Sequence, residues 1–271
     1  MQSNNPVLSR YEKTDKSGFA YDEGVNAYTQ AAAGGAGAAD VNTAFQEVTA
    51  GGGARLTIND VIVKCFMVFA ITVVFAVVGW NTAPSMPWLM WAGAIGGLAL
   101  GLANAFKKVP SPPLILLYGV FQGVFLGGIS YAYSALADGI ILQAVVATMV
   151  TFGVMLTLYM TGVIKVTKKF QSIMLVALVS YLVLGIGNLI WALFGGGDGM
   201  GIYGTGFGPI VAVLGVLIAA FFLLLDFEAI SQGIKMGAPE RESWRMAFGL
   251  LVTLIWLYLE FLRLFAILSR N

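Results

Sequence analysis

The sequence predicts an all-α polytopic membrane protein, and three observations predict it. Hydrophobic residues make up 58% of its 271 positions and charged residues 11%, with a mean hydropathy of +0.83. A soluble domain carries about 45–50% apolar and about 25% charged residues. Seven apolar stretches are each long enough to cross roughly 30 Å of hydrocarbon. Finally, lysine and arginine fall only in every second connection between those stretches.

The same composition removes whole classes of function. Fifteen basic against 14 acidic residues leave no strongly basic surface for nucleic acid. With no histidine at all, Ser-His-Asp triads, HExxH zinc helices and imidazole proton relays are excluded together. The single cysteine, Cys65, can form neither an internal disulfide nor a thiolate cluster, and reads as a small core residue of the first helix. No enzyme and no resident cofactor are expected.

In chain order, residues 1–57 are polar and then Ala/Gly-rich through AAAGGAGAAD and TAGGGAR. Such a segment buries too little apolar surface to offset its ordering entropy, so it is expected as a disordered tail lacking the pattern of a signal peptide. Residues 58–271 form the membrane domain. Its expected spans are Val61–Trp80, Trp88–Phe106, Leu114–Leu136, Ile140–Ile164, Ile173–Phe194, Phe207–Ile230 and Met246–Leu268. The connections KKVPSPP, KVTKKFQ and SQGIKMGAPERESWR hold the basic residues, while NTAPSMP, the region near Asp138 and GGGDGMGIYGTG hold none. By the positive-inside rule, the amino terminus and the basic loops are cytoplasmic, and seven crossings of a cell membrane put the carboxyl terminus outside.

Two glycine stripes, Gly93/Gly97/Gly101 and Gly119/Gly123/Gly127, repeat every four residues and let helix backbones approach closely in lipid. They are expected as packing seams within the chain. A formal GxGxxG at Gly199, Gly201 and Gly204 follows an apolar helix without any βαβ context, so it reads as a connection and not as a dinucleotide site. Its Asp198 alone cannot assemble the six to eight oxygens that calcium takes. Lys64, near the start of the first span, is expected to snorkel to the interface.

The candidate site lies in the last two spans. FFLLLDFEAI carries Asp226 and Glu228, and LIWLYLEFLRLF carries Glu260 and Arg263. A charged side chain at the bilayer centre costs about 2.5–3.5 kcal/mol even on the lenient insertion scale, so these groups should face a bundle interior, a partner or water. In an antiparallel hairpin, facing residues have a constant sum. The midpoint of Asp226 and Glu260 falls near the GAPERESW turn, so the two carboxyls are expected to meet at similar depth. Such a pair would titrate as a unit, share one proton over some pH range and, on losing it, admit a cation. Its rival is Arg263, three residues from Glu260 and able to neutralise it on the same helix. Glu228 is turned by about 200° from Asp226 and cannot share its face; it should be interfacial or pair with a base.

The runs LLDFEAISQG, GAPERESWRMAFGL and WLYLEFLRLFAIL, with LLYGVFQGVFLGGIS in the third span, resemble the Bax inhibitor-1 family of multi-pass membrane proteins, in its bacterial branch. The resemblance runs from about Leu56 to Leu268. It implies a central seventh helix wrapped by six others and a pH-sensitive calcium leak gated by a hydrogen-bonded acidic pair. Carried over by position, those acids are Asp226 and Glu260, which would then be proton sensor and cation ligand, with Ca²⁺ as the transported ion. The connection between them is longer than in the compact bacterial relatives. Two functions are therefore expected in competition. One is a channel-like protein passing calcium or protons. The other is a membrane interaction protein that regulates a protease or stabilises other membrane proteins, its acids acting as internal glue. Besides the bilayer and such membrane proteins no partner is indicated, nor is an oligomeric state.

Overall fold

A computed structural model describes residues 54–197 and 201–270. The tail expected over residues 1–57 lies, up to residue 53, outside the described residues, as do Asp198 and Gly199. One compact unit begins at Arg55. It holds α1 (Ile58–Thr82), α2 (Trp88–Phe106), α3 (Pro112–Ser134), α4 (Ile140–Met160), α5 (Lys168–Leu193), a 3-10 turn (Gly201–Gly204), α6 (Gly208–Lys235) and α7 (Glu242–Leu268). All seven α-helices are long and apolar enough to cross a membrane.

Helix ends follow local chemistry rather than the edge of the apolar run. α1 starts three residues before the expected Val61 because Thr57 and Asp60 form a capping box. The Asp60 N–H donates to Thr57 Oγ1 (3.2 Å) and the Thr57 N–H to Asp60 Oδ2 (3.0 Å). α4 stops at Met160, short of the expected Ile164, where Gly162 turns left-handed at φ +70°. The most consequential end is that of α6, which runs on to Lys235. There Gly237 (φ +66°) donates its N–H to Ile234 O and Ala238 donates to Gly233 O, both at 3.0 Å. This pair of bonds is a Schellman motif, which reverses the chain at once. α7 follows at Glu242, four residues before the expected Met246.

α7 is the central helix. It packs against α1, α3, α4 and α6, whereas α2 lies outside on α3 and α1, and α5 outside on α6 and the 3-10 turn. Four helices, not six, pack along it. The α6–α7 hairpin supplies most of the buried apolar core, with Leu223, Leu224 and Leu257 fully enclosed. α5 buries only Met174, and Leu175, Val176, Val179, Leu182, Val183, Ile186, Leu189, Ile190 and Leu193 are exposed, as lipid-facing residues are.

The glycine stripes are seams within the chain. A Cβ on Gly127 would overlap the Ala76 carbonyl oxygen of α1, and one on Gly123 would stand 2.5 Å from the Thr72 carbonyl oxygen. Gly93 and Gly97 press in the same way on Phe121 and Gln122 of α3. Gly187 of α5 has nothing within 4 Å of such a Cβ. Gly127→Leu should therefore cost about 1–3 kcal/mol or more by forcing backbones apart, while Gly187→Leu leaves the thermal midpoint in detergent unchanged. Equal midpoints for the two variants would contradict the seam.

Candidate functional site

The hairpin register decides which acids can meet. Gly215 on α6 faces Glu260 on α7, since a Cβ on Gly215 would lie 2.5 Å from Glu260 Oε2. Asp226 faces Gly249, whose Cβ would lie 3.5 Å from Asp226 Oδ1. Both pairs sum to 475, whereas Asp226 and Glu260 sum to 486. Glu260 thus faces a position eleven residues from Asp226, about 16 Å along the helix. The structure does not bring Asp226 and Glu260 together. The physical reason is the compact turn: with α6 ending at Lys235 and α7 starting at Glu242, the hairpin is centred near residue 238, not 243.

Glu260 instead sits in a cage of donors. It is 2% exposed, and Arg263 Nη1 donates to both its oxygens, at 2.9 and 3.1 Å. The Tyr181 hydroxyl of α5 donates to Oε2 at 2.8 Å and Trp256 Nε1 donates to Oε1 at 2.9 Å. Arg263 in turn lies 4.6 Å above the Tyr203 ring and donates to the Tyr203 hydroxyl at 3.1 Å. Tyr203 is delivered by the 3-10 turn, which Asn188 of α5 anchors by accepting the Ile202 N–H at 2.6 Å. Gly215 leaves the room: a side chain there would displace the Tyr181 hydroxyl. This arrangement is a charge-assisted clamp joining α5, the 3-10 turn and α7.

Asp226 is the opposite case. Buried hydroxyls elsewhere satisfy themselves on their own helix, Thr72 donating to Val68 O (2.9 Å) and Thr148 to Ala144 O (2.7 Å). Asp226 Oδ2 is buried with no hydrogen-bond partner among the described residues; only Gln122 Oε1, near Gly97 on the α2–α3 seam, shares that condition. Around the Asp226 carboxyl stand Gly249, the Thr253 hydroxyl and, within electrostatic reach, Cys65. Among the described residues no three acidic or cysteine side chains gather as a metal site. One carboxylate and one hydroxyl supply fewer oxygens than the six to eight that a calcium ion takes.

The other polar residues are accounted for locally. Glu228 accepts from the Tyr159 hydroxyl (2.9 Å) and from Gln232 Nε2 (2.7 Å), with Lys235 in electrostatic reach. Lys64 reaches the polar α6–α7 turn, where its ammonium donates to Glu240 Oε1 at 2.6 Å, with Asp60 at 3.8 Å. Of Glu260's unforeseen donors, Trp256 was within reach of sequence reasoning at i, i+4 on the same helix. Tyr181, and Tyr203 which accepts from Arg263, lie on other elements and carry no such signal.

Seven membrane-length helices, the last two forming a buried hairpin that carries Asp226 and Glu260, define an integral multi-pass membrane protein. Residues 5–270 match the family described as Bax inhibitor 1 like, and the chain belongs to that family. No match is found among curated proteins.

Proposed function

We propose that this protein is a pH-sensitive cation leak that passes calcium or protons slowly across a cell membrane. Asp226 is its proton-exchanging and cation-contacting group, and Glu260 with Arg263 is its structural clamp. The observation that carries this reading is the buried Oδ2 of Asp226, the one carboxylate oxygen among the described residues that is buried without a hydrogen-bond partner. An ionised carboxylate there attracts a cation, and a protonated one does not, so flux rises as Asp226 loses its proton. The reading assigns no enzymatic step and no resident cofactor. It places the amino terminus and the lysine-bearing connections in the cytoplasm and the carboxyl terminus outside.

The test is calcium and proton flux into liposomes holding the purified protein, scanned from about pH 5 to 8. A protein-dependent flux that rises with pH is expected. Flux no greater than in empty liposomes at every pH overturns the leak. It would favour the rival reading, an interaction protein acting on a protease or on other membrane proteins, with its acids as glue.

A further inference from the structure

We propose that Leu56 is a seal over Asp226, carried on a short strap, Arg55–Thr57, that clasps the α6–α7 turn and must leave it for water to reach the carboxyl from that end. The strap is built before α1 begins. Leu56 N–H donates to Ala238 O at 2.8 Å, and Arg55 bridges Pro239 in antiparallel fashion. Through that pairing the Leu56 side chain, 3% exposed, drops among Val61, Ile230, Ile234 and Met246. Gly233 makes the socket, since a Cβ there would stand 3.1 Å from Leu56 Cδ2 and overlap the Met246 methyl. A second tie fixes the same turn to α1, the Lys64–Glu240 ion pair at 2.6 Å, with the Lys64 side chain only 13% exposed.

The layer under this plug is the Asp226 layer. Ile230 is one helical turn from Asp226 toward the α6–α7 turn. Cys65 belongs to both layers, packed against the buried cluster of Leu56, Val61 and Ile230 and also against the cluster that contains Leu223, Phe227 and Leu250. Burying Leu56 in the socket keeps water out of the layer below by the same apolar contacts that hold the strap down. The strap is a local unit that opens without unfolding the helices, since among the described residues it is held to the turn by one backbone bridge and one buried side chain, Leu56, while the Lys64–Glu240 pair holds the same turn to α1.

The inference rests on Asp226 as the exchanging group, but its test reads water access and not flux. Cys65, the only cysteine in the chain, is a built-in reporter. Its modification by a membrane-impermeant methanethiosulfonate is followed in reconstituted vesicles open to the reagent on both faces. Wild-type protein should react slowly. Leu56→Ala should react about tenfold faster, the change in open population for each ~1.4 kcal/mol taken from the closed state. Glu240→Gln, at a half-exposed position that leaves the fold intact, should give a smaller increase by freeing Lys64. Rates equal to wild type in both variants, with helical circular dichroism retained, overturn the seal. Should Leu56→Ala fail to fold, an unchanged rate in Glu240→Gln overturns it alone. Faster labelling without any flux refutes the leak and keeps the seal; flux without faster labelling does the reverse.

Discussion

Arg263→Ala is expected to destabilise the bundle by about 3–5 kcal/mol, the cost of leaving a buried charge without its partner. Glu260 is 2% exposed and would keep only the Tyr181 and Trp256 donors, neither of which carries charge. The Arg263 side chain, 30% exposed, is better placed to recover hydration, so Glu260→Gln should cost less, about 1–3 kcal/mol. Replacing both residues with leucine should restore most of the loss, because a matched apolar pair needs no compensation. Thermal unfolding in detergent, compared across the three variants, checks the order. An Arg263→Ala midpoint indistinguishable from wild type would mean that the clamp does not hold α5 and the 3-10 turn to α7.

The second large effect has the opposite sign. Asp226→Leu is expected to stabilise the protein by about 1–3 kcal/mol, since it removes a buried acceptor that no described residue satisfies. It should also abolish the pH dependence of flux. Asp226→Asn, which keeps the shape and removes the charge, should leave stability near wild type and flatten the same pH profile. Stability gained at the cost of activity is what a residue kept for function predicts. A marked loss of stability in Asp226→Leu would instead make the carboxyl a structural group. Two acids on neighbouring helices thus answer to different tests because one has four donor contacts and the other has an orphaned oxygen.

The seven crossings were legible because hydrocarbon demands long apolar runs, and each expected span overlaps a helix. The ends were less so. Hydropathy reports where lipid begins, whereas the backbone continues until a cap stops it, as Thr57 does before α1 and Gly237 after α6. The acid pairing failed on this distinction. Yet the register was within reach: the expected span ends, Ile230 and Met246, sum to 476, which already sets Glu260 against residue 216 and not against Asp226. Arg263 as the partner of Glu260 was also legible from the spacing of three. The Tyr181–Tyr203 cage was not, because it depends on a glycine-rich turn folding back between α5 and α6, and no helical period encodes that. The strap has no sequence signature for a similar reason: Arg55 and Leu56 look like the end of a polar tail until Ala238 is placed beside them.

The central claim is that Asp226 alone, and not a coupled pair, senses the proton. Flux into liposomes from about pH 5 to 8, with Asp226→Asn and Glu260→Gln beside wild type, tests it most directly. A flat profile is expected for Asp226→Asn and a wild-type pH midpoint for Glu260→Gln, at whatever amplitude its lower stability allows. A midpoint that moves in both variants would contradict it and restore the two carboxyls as one titrating unit.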